Sequence, residues 1–204
     1  MNDARLYSAA AARNRDPILR VLRRWLPSRG FVLEVASGSG EHVVHLAQAM
    51  RDVVFQPSDP RAEARASIDA WVAEAELRNV RPAIALDVTA DDWPRTAPDA
   101  VICINMVHIA PWEATLGLIR ASARLLRPEG ILYLYGPYRR GGHHTAPSNA
   151  AFDADLRQRN PAWGLRDLEA VTEAAARRGL GLAAVEEMPA NNLSLVFRRA
   201  SAGS

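Results

Sequence analysis

A glycine-containing turn follows the first strongly apolar run of the chain, and this arrangement constrains the fold more than any other stretch. The run Phe31–Val35 leads through Ala36–Gly40 into a segment with helical apolar spacing from Val43 to Met50, which predicts a strand, a tight turn and a helix. Glycines at 38 and 40 allow positive φ angles and close approach of a ligand, while the helix N-terminus points unpaired N–H groups at the turn. The stretch therefore predicts a site for a polar ligand at the carboxyl edge of a parallel sheet.

The spacing of the turn separates two classes of ligand. A dinucleotide fingerprint, G-x-G-x-x-G/A, needs a small residue where this chain has Val43, and the acid Glu34 before the glycines would repel a pyrophosphate and favour a cation. An acid, a small residue and Gly-x-Gly after the first strand resemble motif I of the class I methyltransferases, whose cofactor S-adenosylmethionine carries an ammonium and a sulfonium. Ala36 stands where a glycine is more usual in that motif.

Composition excludes several classes of protein. The chain of 204 residues is 49% hydrophobic and 24% charged, as expected for one globular domain with a substantial core. All 25 basic residues are arginine, but the net charge is only +2, so no nucleic-acid partner is expected. His42 and His45 lack the further ligands of a recognised metal site, and no metal is expected.

The predicted location is cytoplasmic. Cys103 is the only cysteine, which rules out an intramolecular disulfide and suits a reducing compartment. Met1–Arg5 shows no apolar signal region, and no run approaches the roughly 18 apolar residues of a membrane span, so no membrane contact is expected.

Strands alternate with helices along the chain, which predicts a parallel sheet with helices on both faces. The predicted strands are Phe31–Val35, Val53–Gln56, Pro82–Leu86, Asp99–Ile104 and Ile131–Gly136, followed by a hairpin of Leu182–Glu187 and Leu193–Arg198. A helix from Asp16, as N-cap, to Trp25 precedes them. Residues 137–167 break the rhythm and are predicted to be an insertion or lid on the substrate side.

The whole chain resembles a class I S-adenosylmethionine-dependent methyltransferase, and more finely the methyltransferase-like twenty-six family, also described as domain of unknown function 938. The resemblance rests on the stretches 13–19, 34–42, 56–59, 105–109, 136–138, 160–167 and 188–193. It implies a single α/β domain over 1–204 with a seven-stranded Rossmann-like sheet, in the order 3-2-1-4-5-7-6 with the last strand antiparallel. It implies a cofactor class but no substrate, and leaves the oligomeric state open.

The resemblance also implies a set of cofactor-binding residues. Glu34 is expected near the methionine ammonium, Asp59 on the ribose hydroxyls and Asp87 near the adenine amino group, with Arg13 and Asn14 as an N-terminal clasp. The full set is Arg13, Asn14, Glu34, Ser37, Gly38, Gly40, Asp59, Asp87, Val88 and Asn105. Asp59 could instead form a turn, and Asp87 could cap a helical turn.

Three side chains are candidates for a general base, which is needed only if the acceptor must lose a proton. They are His108 after the fourth strand, and Tyr138 and His143 after the fifth; His144 is a further alternative. Each histidine could instead be an ordinary packed or solvated residue.

The sequence therefore predicts an S-adenosylmethionine-dependent methyltransferase acting on a small molecule. The first alternative is a non-catalytic module that binds the cofactor or a partner protein, favoured if the region after Gly136 is disordered or closes the path of the methyl group. A nicotinamide-dependent oxidoreductase is the second alternative, and Val43 weakens it.

Overall fold

A central sheet with helices on both faces organises the computed structural model of the protein, which describes residues 3–201. The helices are α1 (Ala9–Trp25), α2 (Glu41–Ala49), α3 (Ala62–Glu74), α4 (Trp112–Leu125), α5 (Pro147–Arg159) and α6 (Leu168–Ala176). The strands are β1 (Gly30–Val35), β2 (Val53–Ser58), β3 (Ala100–Ile104), β4 (Ile131–Gly136), β5 (Tyr138–Arg140), β6 (His143–His144), β7 (Arg166–Asp167), β8 (Leu180–Met188) and β9 (Asn192–Arg199).

Within residues 3–201 the central sheet has six strands in the order β2-β1-β3-β4-β9-β8. The pairs β1–β2, β1–β3 and β3–β4 are parallel, whereas β9 runs antiparallel between β4 and β8. A 3-10 turn, Pro189–Asn191, joins β8 to β9, which confirms the predicted terminal hairpin. The carboxyl ends of β1, β2, β3 and β4 therefore lie along one edge of the sheet.

The two faces of the sheet carry separate hydrophobic cores, because successive side chains of a strand point to opposite faces. Val32 packs in the core beneath α1, α2 and α3, and its neighbour Leu33 packs in the core beneath α4 and α6. Every residue of β3 is buried, as expected for a central strand of a sheet covered on both sides. Cys103 lies in this strand, and burial raises the pKa of its thiol.

The predicted count of seven strands is wrong. The stretch 82–86, predicted to be the third strand, forms no regular strand and meets β2 only through isolated parallel bridges. Phe55 bridges to Val80, and Ser58 bridges to Ile84. The step from one bridge to the next is three residues along β2 and four residues along its neighbour, so the register shifts by one residue between the bridges.

Two prolines explain this interruption. Pro57 in β2 has no N–H to donate toward its neighbour, and Pro82 has none either, so a continuous ladder cannot form at this point. The side-chain amide of Gln56 donates instead to the carbonyl of Pro82 at 2.7 Å. The segment follows the edge of the sheet without completing a seventh strand.

The first helix begins eight residues earlier than predicted, because its N-cap is Ser8 and not Asp16. α1 starts at Ala9, with Ser8 as N-cap accepting a hydrogen bond from Ala11 N–H at 3.3 Å, and Pro17 lies inside it. Alanines 9–12 favour the helix strongly enough to extend it, although Pro17 removes one hydrogen bond of the ladder. Arg13 and Asn14 therefore lie on the helix itself and do not form a loop that clasps the ligand.

Residues 137–167 form ordered structure of their own beside the main sheet. Strands β6, β5 and β7 make a small three-stranded sheet, and α5 follows β6. Gly164 N–H donates to the carbonyl of His108 at 3.0 Å, which ties this region to the loop after β3.

Candidate active site

The turn between β1 and α2 uses positive φ angles at three positions. Ala36, Gly38 and Gly40 have φ values of 56°, 59° and 93°. A side chain on Gly38 would meet no heavy atom closer than 4.0 Å, so its missing side chain leaves open space. A Cβ on Gly40 would lie 2.8 Å from Cα of Ile68, which makes Gly40 a packing residue against α3.

A cavity of about 640 Å³, here called the turn cavity, opens at this turn along the carboxyl ends of β1, β2 and β3. Six of the predicted cofactor-binding residues line it: Ser37, Gly38, Asp59, Asp87, Val88 and Asn105. The edge of a parallel sheet brings these residues together although they are spread over 69 positions, from 37 to 105, of the chain.

Asp59 is held in place by backbone donors. Its carboxylate is 3% exposed, and it accepts a hydrogen bond from Gly38 N–H at 3.1 Å and another from Arg61 N–H at 3.0 Å. The Arg61 guanidinium also lies 3.3 Å from Oδ1. An ionised carboxylate has about four acceptor positions, so Asp59 keeps capacity for donors from a ligand.

Asp87 caps a short turn and also lines the turn cavity. Its Oδ1 accepts from Thr89 N–H at 2.8 Å and from the Thr89 hydroxyl at 2.7 Å, which caps a short turn. These hydrogen bonds lower the pKa of Asp87 below its ordinary value. The same residue lines the turn cavity.

Glu34 lies behind the turn and does not line the cavity. The residue is 1% exposed, and Oε2 of its carboxyl group has no hydrogen-bond partner among residues 3–201. Burial raises the pKa of Glu34 to about 8, with a hydrogen bond from Ser37 acting against that shift and the charge of Asp59 adding to it. A buried carboxyl group in this state gains from a proton or from a cation brought next to it.

A second cavity of about 820 Å³, here called the arginine cavity, adjoins the first. Arg13 and Asn14 line it, so α1 places both predicted clasp residues in this cavity and away from the turn cavity. Ser8, Asn105 and Ile109 line both cavities and mark the junction between them. Asn105 itself has a φ of 63°, a left-handed conformation that is uncommon for a residue other than glycine.

His108 lines the arginine cavity, whereas the other two predicted base candidates do not. Burial, together with the charge of Arg166, lowers the pKa of His108 to about 4, so its ring is neutral at neutral pH. The ring contacts Phe152 edge to face, with centroids 5.6 Å apart. A Cβ on Gly136 would lie 3.0 Å from His108 Nδ1, so the glycine makes room for the ring.

The structure brings neither Tyr138 nor His143 to either cavity. Tyr138 is buried in the core beneath α4 and α6, where its hydroxyl has no partner among residues 3–201 and burial raises its pKa. His143 is exposed in β6 and lines neither cavity. The alternative His144 also points elsewhere, since its Nε2 lies 3.0 Å from Asp153 Oδ2.

Sequence reasoning missed several residues of the site, notably Tyr135, Phe152 and Ser8. Tyr135 is the last residue of β4 before Gly136, and its carbonyl accepts from Asn105 N–H at 2.9 Å. The rule that placed Asn105 at the carboxyl edge would also have placed Tyr135 there. Phe152 and Ser8 reach the site through the helix α5 and the start of α1, which no strand-end signal reveals.

Residues 3–201 contain neither a cluster of metal-ligating side chains nor a membrane-spanning helix. No group of three His, Cys, Asp or Glu side chains there could hold a metal ion. No helix in that part of the chain is both long enough and apolar enough to cross a membrane.

Comparison with known proteins adds a family and a fold. The model of the family described as "Protein of unknown function (DUF938)" matches residues 5–199. An O-methyltransferase family protein from Burkholderia thailandensis has a similar structure, with a TM-score of 0.81 and 18% identity over 95% of this chain and 58% of its own. The S-adenosylmethionine-dependent methyltransferase SibL, in its apo form, gives a TM-score of 0.78 and 21% identity over 94% of this chain and 56% of its own.

A protein from Galdieria sulphuraria matches over nearly its full length. It is described as a candidate sarcosine dimethylglycine methyltransferase, and has a TM-score of 0.73 and 13% identity over 97% of this chain and 92% of its own. The chain thus spans little more than half of the first two proteins and almost all of the third. At these identities the likeness establishes the fold of the S-adenosylmethionine-dependent methyltransferases.

Proposed function

We propose that this chain, which belongs to the DUF938 family of proteins of unknown function, transfers a methyl group from S-adenosylmethionine to a small-molecule acceptor. The observation that carries the proposal is the junction of two cavities at Asn105, on the carboxyl edge of a methyltransferase sheet. A two-substrate transfer needs adjacent sites for both substrates, and this junction supplies a place where they could meet.

The residues of the turn cavity fit the cofactor. Asp59 presents a fixed carboxylate whose Oδ2 keeps an acceptor position for a ribose hydroxyl, since Arg61 occupies Oδ1, and charge-assisted hydrogen bonds of this kind are roughly twice as strong as neutral ones. Gly38 leaves open space beside it. Glu34 lies behind the turn and does not line this cavity, but its buried carboxyl group would favour an ammonium of the methionine part held at Ser37, since a nearby cation stabilises the ionised form. Asp87 remains available to the adenine amino group.

The chain's own residues would promote the reaction mainly by position. When bound, S-adenosylmethionine supplies an electrophilic methyl group on a sulfonium. The neutral ring of His108 can orient an acceptor by a hydrogen bond, but a group with a pKa of about 4 is a weak base at neutral pH. We therefore assign the rate enhancement to alignment of the two substrates at Asn105 and to exclusion of water, with no obligatory proton transfer to His108.

No feature of the described residues favours the non-catalytic alternative. That alternative was expected if the region after Gly136 closed the path of the methyl group. Residues 138–167 instead form β5, β6, α5 and β7, and the two cavities share lining residues. The structure does not support a nicotinamide-dependent oxidoreductase either, because Val43 is a fully buried branched side chain at the position where a dinucleotide-binding turn needs a small residue.

Calorimetric titration with S-adenosylmethionine tests the proposal. We expect the wild type to bind and Asp59→Ala to bind about ten- to a hundredfold more weakly, because the variant loses a charge-assisted contact of roughly 1.5–3 kcal/mol. Asp155→Ala is the matched control, since Asp155 lies on the surface of α5 and lines neither cavity.

A second titration, with NAD, tests the alternative that the protein is a nicotinamide-dependent oxidoreductase. The proposed function would be overturned if the folded wild type shows no binding of S-adenosylmethionine, or if it binds NAD instead. Equal affinities of Asp59→Ala and Asp155→Ala for S-adenosylmethionine would remove Asp59 from the cofactor site.

A further inference from the structure

The arginine cavity has a positive electrostatic character. Among residues 3–201 its lining contains one ionised side chain, the guanidinium of Arg13, and no acidic side chain. His108 adds no charge at neutral pH, because burial lowers its pKa to about 4. The remaining polar groups of the lining are amides and hydroxyls, which can donate hydrogen bonds without neutralising Arg13.

Arg13 is available to a ligand. It lies on the second turn of α1 with its side chain partly in solvent, and no carboxylate of residues 3–201 lies within ion-pairing distance of its guanidinium. By contrast, Arg24 on the last turn of the same helix is paired with Glu186. A guanidinium presents five N–H donors in a planar fork that matches a carboxylate or a phosphate.

A second donor lies beside Arg13. Asn14 Oδ1 is 2.7 Å from Nε2 of His42, whose pKa is lowered to about 4 by burial, so the neutral ring donates and the amide oxygen accepts. Tyr135 lines the same cavity, and burial raises the pKa of its hydroxyl, with a hydrogen bond of the Asn14 side chain acting against that shift. The hydroxyl proton of Tyr135 is left to donate to a ligand.

Part of the cavity lining is backbone in an uncommon conformation. Ala190 and Asn191 both have left-handed φ angles, of 58° and 56°, and both line the cavity. The side chain of Asn149 donates to the carbonyl of Asn191 at 3.0 Å and holds this turn in place. Strained residues of this kind persist where the surrounding structure supports them, and they concentrate at functional sites.

We propose that the methyl acceptor is a small organic anion whose carboxylate or phosphate group is bound by Arg13 and Tyr135. The apolar part of such a molecule would pack against Phe152 and Ile109, two large apolar side chains that are exposed toward this cavity. The identification of the anion as the acceptor rests on the proposed methyl transfer, whereas the anion site itself can be measured without any cofactor.

The experiment is a set of calorimetric titrations of the full chain with benzoate, phenyl phosphate and the neutral isostere benzamide. We expect at least one anion to bind more tightly than benzamide, and Arg13→Gln to weaken that anion about tenfold, near the lower limit for a charged hydrogen bond because Arg13 is partly in solvent. Arg20→Gln is the control, since Arg20 is an exposed arginine of α1 that lines neither cavity. The preferred anion distinguishes a carboxylate site from a phosphate site.

Benzamide binding as tightly as both anions would overturn the inference, and so would equal effects of the two arginine substitutions. A parallel titration with S-adenosylmethionine separates this inference from the proposed function. If the cofactor binds but Arg13→Gln does not change the affinity for the anions, the proposed anion site is wrong and the proposed methyl transfer is unaffected. If the anions bind through Arg13 and the cofactor does not bind, the anion site stands and the methyltransferase proposal fails.

Discussion

The turn cavity and the arginine cavity share a wall but differ in charge. Asp59 and Asp87 line the first, where the one guanidinium, Arg61, is paired with Asp59. Arg13 lines the second, without an acid among residues 3–201. Two neighbouring cavities with electrostatic potentials of opposite sign can select different ligands by charge, since one favours a cation and the other favours an anion. The proposed cofactor and the proposed acceptor follow this division.

The substitution with the largest expected effect is Gly117→Ala, which should distort the turn cavity and leave the arginine cavity unchanged. A Cβ on Gly117 in α4 would lie 2.1 Å from the carbonyl oxygen of Val88, so Gly117→Ala must displace the backbone that lines this cavity. We expect a loss of about 3 kcal/mol in unfolding free energy, measured by urea denaturation, because overpacking a tight site typically costs 1–3 kcal/mol. Cofactor affinity should fall while benzoate affinity in the arginine cavity changes little.

Gly181→Ala is the matched control for this substitution. Gly181 lies in β8, has ordinary backbone angles, and has no heavy atom within 4 Å of an added Cβ. Equal stability of the two alanine variants would show that the loop at Val88 yields freely, and that the turn cavity is not rigidly bounded on this side.

The second test concerns pH and Glu34. Its pKa rises from an ordinary 4.5 to about 8 on folding, so the native state holds more protons than the unfolded state between those values. Stability contributed by the protonated group is therefore present at low pH and lost as pH rises through about 8. We expect the unfolding free energy of the wild type to fall relative to Glu34→Gln by about 1 kcal/mol per pH unit within this window.

Cofactor titrations complete the test of Glu34. Since an ammonium would favour the ionised carboxyl group, wild-type affinity should rise with pH up to about 8, and Glu34→Gln should lose that dependence. His42 and His108, with pKa values near 4, do not change charge in the upper part of this window. A pH profile that is the same in both proteins would contradict the assignment of Glu34.

The smallest expected effect lies in the arginine cavity. Gly136→Ala places a Cβ 3.0 Å from the His108 ring, which can move because it is a side chain and not backbone. We expect a loss of about 1 kcal/mol in stability and a several-fold change in benzoate affinity, with S-adenosylmethionine affinity within twofold of the wild type. A larger change for the cofactor than for benzoate would show that His108 belongs to the turn cavity.

The sequence was sufficient to predict residues whose position follows from strand ends. Gly38, Asp59, Asp87 and Asn105 come after predicted strands, and the carboxyl ends of parallel strands share one edge. The predicted third strand fails because Pro57 lies in the neighbouring strand, an interaction between distant segments that local apolar pattern does not contain.

Other errors come from helix starts and side-chain direction. Asp16–Pro17 has the composition of a helix start, yet the alanines before it extend α1 and carry Arg13 into the second cavity. Tyr135 and Tyr138 are three positions apart and are both almost fully buried, but Tyr135 also lines the arginine cavity, whereas Tyr138 packs in the core beneath α4 and α6. The direction of a side chain beyond the end of a strand depends on tertiary packing, and the local sequence therefore did not reveal that Tyr138 points away from both cavities.

Cys103 is buried in the centre of β3, and its reactivity with a thiol reagent can report local unfolding of the central sheet. It is the chain's single cysteine, it pairs in register with Val35 and Leu134, and both of those neighbours are buried. A thiol reagent can reach it only after the middle of the sheet separates, so the rate of alkylation reports how often that part of the fold opens. Any ligand that binds the edge of this sheet in the native state should lower the rate at which Cys103 is alkylated.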